Sequence, residues 1–176
     1  MKTIKDRQVL VGADFSGAPL KDAIVAHLGA KGWNVTDIGV KPGDKKPEMF
    51  HRIGLRVGAM IAEGEFERAL IFCGTGMGIH VAASRCPHVN CAVVESPHAA
   101  LRCVTANNCN VMAMGAFYVA PETGKVMADA FLEHNLGDGY EDQKGFYGYH
   151  KLAYDELEEF DYEEYKANGF RVGKLG

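Results

Sequence analysis

The sequence predicts a doubly wound α/β fold, in which a parallel β-sheet is covered by helices on both faces. Short apolar segments alternate with longer segments in which apolar residues recur at helical spacing. Strands of this kind, each followed by a helix, are typical of a sheet that is buried on both sides. Right-handed crossovers between the parallel strands then distribute the helices over the two faces.

Each predicted strand is a short apolar segment bounded by turn signals. The first ends at Gly12, the second is followed by the proline-containing loop at 41–47, and the third runs into a glycine-rich segment. In chain order, the five strands are predicted at Gln8–Gly12, Trp33–Ile38, Arg68–Phe72, Asn90–Val94 and Val111–Met114.

The predicted helices lie between and after these strands. In the first of them Leu20, Ile24 and Leu28 fall on one face, and the segment ends at Gly32. The five helices are predicted over about 20–31, 49–64, 79–84, 97–107 and 121–132.

The character of the chain changes near Glu133. Nine of the 17 aromatic residues follow that position, and Asp155–Glu164 carries seven acidic side chains. So many aromatic residues are untypical of a solvated tail. We predict an α/β domain at 1–135 and an extension at 136–176 that packs on a neighbouring subunit. A helix folded back on its own domain and an acidic mimic of nucleic acid are the alternatives.

Composition and charge exclude several classes of function. The net charge is −4 and 47% of the residues are hydrophobic, so neither nucleic acid nor a membrane surface is expected as a partner. The sequence has no run of 18 apolar residues, and Met1–Gln8 lacks the apolar core of a signal peptide. Five cysteines without zinc-ligand spacing predict free thiols and a cytoplasmic protein.

The segment best suited to chemistry is Cys73-Gly74-Thr75-Gly76-Met77-Gly78, between a buried strand and a helix. Its three glycines let the backbone turn tightly and approach a ligand. Its N–H groups and the helix N-terminus can surround an anionic oxygen, and they favour the thiolate form of Cys73. Thr75 adds a hydroxyl that can relay a proton. An ordinary strand-to-helix turn with a buried cysteine is the alternative.

Ligands on parallel sheets bind at the carboxyl ends of the strands. We therefore expect the site among Ala13–Gly17, Cys73–Gly78, Glu95–His98 and the Asn107–Asn110 region just before the fifth strand. His98 is a candidate acid–base group or anion contact, and a solvated histidine at a helix start is the alternative.

These segments carry a resemblance to a known family. VLVGADFSG, CGTGMG and ANNCNVMAMG are similar to the ribose-5-phosphate isomerase B and galactose-6-phosphate isomerase family, over about residues 8–132. The resemblance implies a three-layer α/β/α sandwich with a five-stranded, Rossmann-like parallel sheet. It implies aldose–ketose isomerisation of a sugar phosphate or related sugar acid without metal or other cofactor. It also implies a homodimer or homotetramer with shared active sites.

The same resemblance assigns roles to residues. Cys73 matches the family's catalytic base, and Thr75 matches the hydroxyl near the reacting oxygens. Asp14 matches the acid after the first strand, Phe15 follows it in the same loop, and Asn107 matches an amide of the family pattern. The N–H groups that match the oxyanion-stabilising loop are those of Gly74, Gly76, Met77 and Gly78.

Several positions depart from the family pattern. Ala106 replaces a histidine that helps to open the sugar ring, and Phe15 replaces a histidine near the phosphate. The basic residues that hold phosphate have no clear match, and Lys144, His150 and Lys151 are candidate replacements. Because alanine cannot move a proton, we expect an open-chain substrate, such as a four-carbon 4-phosphate or a 4-deoxy-5-keto uronate.

Three classes of function are considered. The first is an isomerase, and the presence of Cys73 and Thr75 favours it. The second is a non-catalytic or regulatory subunit, or a sugar-acid-binding protein, of the same fold. The third is a redox or nucleotide-binding α/β protein, for which a disulfide between Cys73 and Cys109 would be an indication.

Overall fold

A computed structural model describes residues 4–143 and 145–171 and confirms the three-layer α/β/α fold. Its strands end within one residue of the predicted positions. They pair in the order β2-β1-β3-β5-β4, and every pair is parallel. The strands are β1 (Gln8–Ala13), β2 (Asn34–Asp37), β3 (Ala69–Cys73), β4 (Cys91–Val93) and β5 (Val111–Gly115).

The strand order creates a topological switch point between β1 and β3. From β1 the chain moves outward to β2, and it then crosses back to β3 on the other side of β1. In open α/β sheets, ligands bind in the crevice that this reversal leaves at the carboxyl ends of the strands. Here that crevice lies at Ala13 and Cys73, the last residues of the two strands.

Five helices cover the sheet at the predicted places. α2 and α3 pack together on one face, while α1, α4 and α5 pack on the other. Because side chains alternate along a strand, Phe72 enters the core beneath α1 and α5, and Cys73 enters the core beneath α2 and α3. The helices are α1 (Ala18–Ala30), α2 (Phe50–Ala62), α3 (Met77–Ala83), α4 (Pro97–Thr105) and α5 (Pro121–Leu132).

The chain beyond α5 forms two further helices, α6 (Phe146–Glu158) and α7 (Tyr162–Ala167). Neither contains a buried residue. α6 touches its own α/β domain through an ion pair between Glu158 and His88 and through a hydrogen bond from Asn107 to the Tyr154 hydroxyl at 2.8 Å. These contacts are of the kind expected for a helix folded back on its own domain. They leave most of the surface of α6 and α7 exposed. The domain boundary and the packing on a neighbouring subunit stay predictions.

Close approach of α2 and α3 depends on Gly54. A Cβ at that position would lie 2.7 Å from the Ile79 carbonyl oxygen and 2.8 Å from the Ala82 Cβ. Neither atom is the end of a flexible side chain, so the helices would have to separate.

We expect Gly54→Ala to lower the free energy of unfolding by about 1–3 kcal/mol through overpacking. Gly29→Ala is the matched control, because nothing lies within 4 Å of a Cβ there, and it should raise stability by about 0.5–1 kcal/mol. Urea unfolding followed by circular dichroism measures both. Equal effects of the two substitutions would contradict this packing.

Candidate active site

Cys73 is the last residue of β3, the strand next to β1 at the topological switch point. Its side chain is 4% exposed, and its Sγ accepts a hydrogen bond from the Gly76 N–H at 3.1 Å. Gly76 has a left-handed φ of 76°, and a Cβ there would lie 2.9 Å from the Gly115 backbone nitrogen. Glycine is therefore required for the loop to fold back over the sulfur and against the end of β5.

The loop after β1 packs directly against the end of β3. A Cβ on Gly17 would lie 2.5 Å from the Phe72 carbonyl carbon, so this contact is between backbones. Asp14 orders the loop, since its Oδ1 accepts hydrogen bonds from the Ser16 hydroxyl at 2.8 Å and the Gly17 N–H at 2.9 Å. Asp14 and Phe15 are thereby fixed beside the Cys73 loop.

The remaining residues of the glycine-rich segment connect Cys73 to α3. Thr75 is half-buried, and its hydroxyl oxygen accepts the Met77 N–H at 3.3 Å. α3 begins at Met77 and is only seven residues long. A helix this short contributes little dipole. The electropositive groups close to the sulfur are therefore the backbone N–H groups of the loop.

Two phenyl rings border this loop. Phe117 donates its N–H to the Gly74 carbonyl at 2.9 Å, and its ring occupies the space that a Cβ on Gly74 would need, 2.5 Å from it. Phe50 lies in the same way against Gly78, 2.7 Å from a Cβ placed there. Phe117 is 69% exposed, so it covers the Cys73–Gly74 backbone while presenting an apolar face outward.

Beside the loop lies a cleft of about 650 Å³. It runs between the β1–α1 loop, the β2–α2 loop and the segment after β5. Phe15 and Phe117 contribute exposed rings, and Lys41 is the one basic residue of the described chain among its lining residues. Most of the lining is apolar, so the cleft suits a ligand with few hydroxyl groups.

A buried ion pair supports the loops around this cleft. The Lys21 ammonium is fully buried and donates to Asp37 at 2.9 Å and to the Val40 carbonyl at 3.0 Å. Burial disfavours the ammonium, but hydrogen bonds to Asp22 and Asp37 outweigh this and raise the pKa of Lys21. For Asp37, burial is likewise outweighed, by hydrogen bonds from Lys41, Lys21 and a backbone N–H, and its pKa is lowered.

The structure brings together most of the residues predicted for the site, but not all of them. Asp14 and Phe15 adjoin the loop that holds Cys73 and Thr75, together with Gly74, Gly76, Met77 and Gly78. His98 is exposed at the start of α4, on the same end of the sheet. It follows β4, two strands from β3, which corresponds to about 10 Å across the sheet.

Asn107 lies at the opposite end of the sheet. It precedes β5, which runs parallel to β3 with Val111 beside Ala69 and Gly115 beside Cys73. About 13 Å of strand therefore separates the two ends. The expectation that Asn107–Asn110 lies on the ligand side of its own chain is wrong, because the segment leads into β5 and does not follow it. The segment after β5, with Phe117, takes that place.

Two candidate basic residues of the extension, His150 and Lys151, are also remote from Cys73. Lys151 forms an ion pair with Asp155 one turn further along α6. His150 packs against the rings of Phe146 and Tyr149, with centroids 4.3 and 5.2 Å apart. Lys144 lies outside the described residues. α6 adjoins the amino end of the sheet through His88, so any contribution of His150 or Lys151 to a Cys73 site has to come from another copy of the chain.

Cys109 and Cys73 lie at opposite ends of the sheet, and all five cysteines are free thiols. A Cys73–Cys109 disulfide is incompatible with this arrangement, which removes the indication named above for a redox protein.

Within residues 4–143 and 145–171, no three His, Cys, Asp or Glu side chains gather as metal ligands would. None of the helices in that part of the chain has the length and apolar character needed to cross a bilayer.

Sequence reasoning missed two features of the site. Phe117 follows the glycine that ends β5, and its place after a strand could have indicated a role. Lys21 falls between apolar positions of α1 and is fully buried. A single lysine in an amphipathic pattern predicts a solvated side chain, so no signal in the sequence pointed to its pairing with Asp37.

Comparison with known proteins agrees with the family pattern. A family model described as Ribose/Galactose Isomerase matches residues 9–145. The chain is 36% identical over 135 residues to 4-deoxy-4-sulfo-D-erythrose isomerase from Clostridium sp. (strain MSTE9), covering 77% of this chain and 84% of that protein. It is 29% identical over 131 residues to D-erythrulose-4-phosphate isomerase from Pectobacterium atrosepticum, covering 74% and 86%.

A solved structure shows the same fold. Ribose-5-phosphate isomerase B from Clostridium thermocellum superimposes with a TM-score of 0.75 at 26% identity. The match covers 86% of this chain and 95% of that one. The part of this chain without a counterpart there is thus larger than the part of that enzyme without a counterpart here.

We expect Asp37→Asn to destabilise the protein by about 3 kcal/mol at neutral pH, because it removes one carboxylate partner of a fully buried ammonium. The lowered pKa of Asp37 contributes stability that is full above the unfolded value of 3.8 and is lost as the pH falls through the folded value. The difference between wild type and variant should therefore shrink in acid. Urea unfolding at pH 7, 5 and about 3 measures it, with the exposed Glu122→Gln as control. A difference that does not change with pH would contradict the pairing.

Proposed function

The chain belongs to the ribose/galactose isomerase family and is an aldose–ketose isomerase, and on that basis we propose that it acts on an open-chain, anionic sugar with Cys73 as the base. The observation that carries this proposal is the hydrogen bond that the glycine-rich loop donates to the Cys73 sulfur. The Gly76 N–H already donates to Cys73 Sγ. A hydrogen bond of this kind is stronger when its acceptor is charged, and the loop thus aims a donor at the sulfur that the proposed reaction uses.

The proposed reaction consists of proton transfers alone. The Cys73 thiolate takes the proton from C2 of the aldose, the C1–C2 double bond forms, and the carbonyl electron pair moves to O1. Thr75 relays the proton of O2 to O1, and the Cys73 thiol then protonates C1 to give the ketose and regenerate the thiolate. The oxyanion is assigned to the loop N–H groups of Gly74, Gly76, Met77 and Gly78. No cofactor enters this scheme.

Asp14 is assigned to a substrate hydroxyl. Both of its side-chain hydrogen bonds go to Oδ1, so Oδ2 has no hydrogen-bond partner among the described residues and is the oxygen assigned to the substrate. Phe15 next to it is 74% exposed and offers no hydrogen bond. One hydroxyl contact beside an apolar surface fits a short sugar better than a pentose with a full set of hydroxyl groups.

A four-carbon substrate accounts for the missing ring-opening group. When the fourth carbon carries a phosphate ester or a sulfonate, no free hydroxyl is left there to close a furanose ring. Such a sugar stays in its open-chain form. The replacement of the ring-opening histidine by Ala106 then does not slow its isomerisation. The names of the two relatives, a sulfo-erythrose isomerase and an erythrulose-4-phosphate isomerase, support this substrate class over a 4-deoxy-5-keto uronate.

The anionic end of the substrate requires a cation that the described cleft does not readily supply. Lys41 lines the cleft but is bound to Asp37. Asn107, His150 and Lys151 lie at the other end of the sheet. We therefore propose a homodimer, or a dimer of dimers, in which the amino end of one copy completes the site of the other. Free thiols throughout the chain support a cytoplasmic location.

We expect Cys73→Ser to lower kcat by about 10²–10⁴-fold with little change in KM, since the serine hydroxyl fills the same space but is a far weaker acid. Cys86→Ser, at a half-buried thiol away from the loop, is the matched control. Proton NMR of aldose–ketose conversion measures both. Full activity of Cys73→Ser would refute the assigned base, and an inactive wild-type chain would favour the non-catalytic subunit.

We expect D-erythrulose 4-phosphate or 4-deoxy-4-sulfo-D-erythrose to be turned over with a kcat of about 10 s⁻¹, a typical enzyme value. Ribose 5-phosphate should react at least about 100-fold more slowly, because its ring has to open and the chain has alanine at position 106. The same NMR assay compares the three sugars, and the ratio of the first two identifies the preferred anion. Comparable turnover of ribose 5-phosphate would refute the open-chain substrate.

A further inference from the structure

Two thiols that the proposed reaction does not use lie close together at the amino end of the sheet. Cys103 belongs to α4 and Cys109 precedes β5, and the two residues are 5% and 7% exposed. The Cys109 N–H donates to the Cys103 carbonyl at 2.9 Å. Standard bond lengths then place the two Cα atoms about 5–6 Å apart. This separation lies within the range of about 4.4–6.8 Å that a disulfide spans.

The two thiols are not equivalent as acids. The Cys103 S–H has two acceptors within reach, the Ala100 carbonyl oxygen at 3.1 Å and the Cys109 sulfur. Its hydrogen bond to Cys109 lowers the pKa of Cys109, and the charge of Arg68 adds to this effect, so that together they outweigh burial. The same hydrogen bond, together with burial, raises the pKa of Cys103. Cys109 is therefore the thiol that deprotonates first, and the thiolate is the nucleophilic form.

Arg68 provides the positive charge beside this pair of thiols. It directly precedes β3, and its side chain is half-buried. Its guanidinium donates to the Phe131 carbonyl and to the Asn135 side-chain oxygen, the latter at 3.3 Å. Both acceptors are neutral, so these hydrogen bonds hold the cation in place without compensating its charge. A thiolate at Cys109 is an anion that this charge stabilises.

Cys109 borders a cleft of about 690 Å³ between the amino end of the sheet and α6. Arg68 and Asn108 line the same cleft, and of the two thiols Cys109 is the one among its lining residues. A small molecule that enters the cleft therefore meets Cys109 first, with Cys103 behind it in the core. An acidic thiol at an opening with a second thiol next to it is the arrangement typical of redox-sensing cysteines.

We propose that Cys109 is a site of oxidation by hydrogen peroxide and that Cys103 resolves the oxidised sulfur to a disulfide. The Cys109 thiolate attacks one peroxide oxygen: an S–O bond forms, the O–O bond breaks, and hydroxide leaves and takes up the proton that Cys109 had released. The Cys103 sulfur then attacks the Cys109 sulfur: an S–S bond forms, and the hydroxyl group leaves with the Cys103 proton as water. Two thiols are thus oxidised to one disulfide while the peroxide is reduced to two molecules of water.

The disulfide would close a ring around the loop that joins α4 to β5. Asn107 lies in that loop, and its side-chain amide donates to the Tyr154 hydroxyl of α6 at 2.8 Å. Oxidation therefore constrains the loop to which this hydrogen bond attaches α6. The oxidation needs neither the sugar substrate nor Cys73, which lies at the other end of the sheet.

Peptide mapping of the full-length chain after peroxide treatment tests the proposal. The reduced protein is exposed to hydrogen peroxide, its remaining thiols are alkylated, and it is cleaved with trypsin. The tryptic peptide 103–125 contains Cys103 and Cys109 and no other cysteine, whereas Cys73 is on peptide 69–85. Dimedone added with the peroxide traps a sulfenic acid. The variants are Cys103→Ser and Cys109→Ser, and circular dichroism verifies their fold.

Cys91→Ser is the matched control. Cys91 is a third thiol near Cys109, and burial raises its pKa, so it should take no part in the oxidation. It is on peptide 86–102, so a disulfide between Cys91 and Cys109 would link two peptides.

We expect peptide 103–125 of the oxidised wild type and of Cys91→Ser to carry no alkyl group, to be lighter by two hydrogen atoms, and to regain both thiols with dithiothreitol. Cys103→Ser should give a dimedone adduct on Cys109. Cys109→Ser should slow the oxidation of Cys103 by about tenfold or more, because the acidic thiol is gone. Two alkylated thiols on peptide 103–125 after Cys73 has been oxidised, a link to peptide 86–102, or no adduct in Cys103→Ser would overturn the proposal.

Discussion

The site depends on the direct contact of three backbone segments at the carboxyl ends of β1, β3 and β5. Gly17 presses against the end of β3, and a Cβ on Gly115 would lie 2.7 Å from the Thr75 carbonyl carbon. Gly76 closes the loop with a left-handed turn that points its N–H at the Cys73 sulfur. Because these contacts leave no space for side chains, the position of the thiol is fixed by backbone geometry and not by the packing of mobile groups.

The loops next to this rigid backbone expose mostly apolar surface to the neighbouring cleft. Phe15 and Phe117 present exposed rings to the cleft, while Oδ1 of the Asp14 carboxylate is bound within its own loop. A buried hydrogen-bonding group discriminates strongly between substrates and an apolar wall discriminates weakly. The mostly apolar lining of the cleft is therefore the feature on which the proposed preference for a sugar with few hydroxyl groups rests. The Lys21–Asp37 pair beneath the loops holds this surround in place from within the fold.

The elements and the loop chemistry were predictable from the sequence because they are local. Apolar spacing and turn residues located every strand and helix of the sheet, and the CGTGMG segment identified the loop. The placement of Asn107 was also predictable, because a segment that precedes β5 lies at the amino end of a parallel strand and not at its carboxyl end. The burial of Lys21 was missed because it depends on the contact with Asp37, which lies outside the helix. Helical periodicity does not predict such a contact.

Covalent labelling by a substrate-like epoxide tests the central claim most directly. A 1,2-epoxide of a four-carbon polyol 4-phosphate offers an electrophilic carbon where the sugar offers a proton. Peptide mapping after inactivation should find one label per chain on the peptide containing Cys73, formed in step with the loss of activity and prevented by substrate. Stoichiometric labelling of another residue, with Cys73 unmodified in the inactivated enzyme, would contradict the claim that its sulfur is the base.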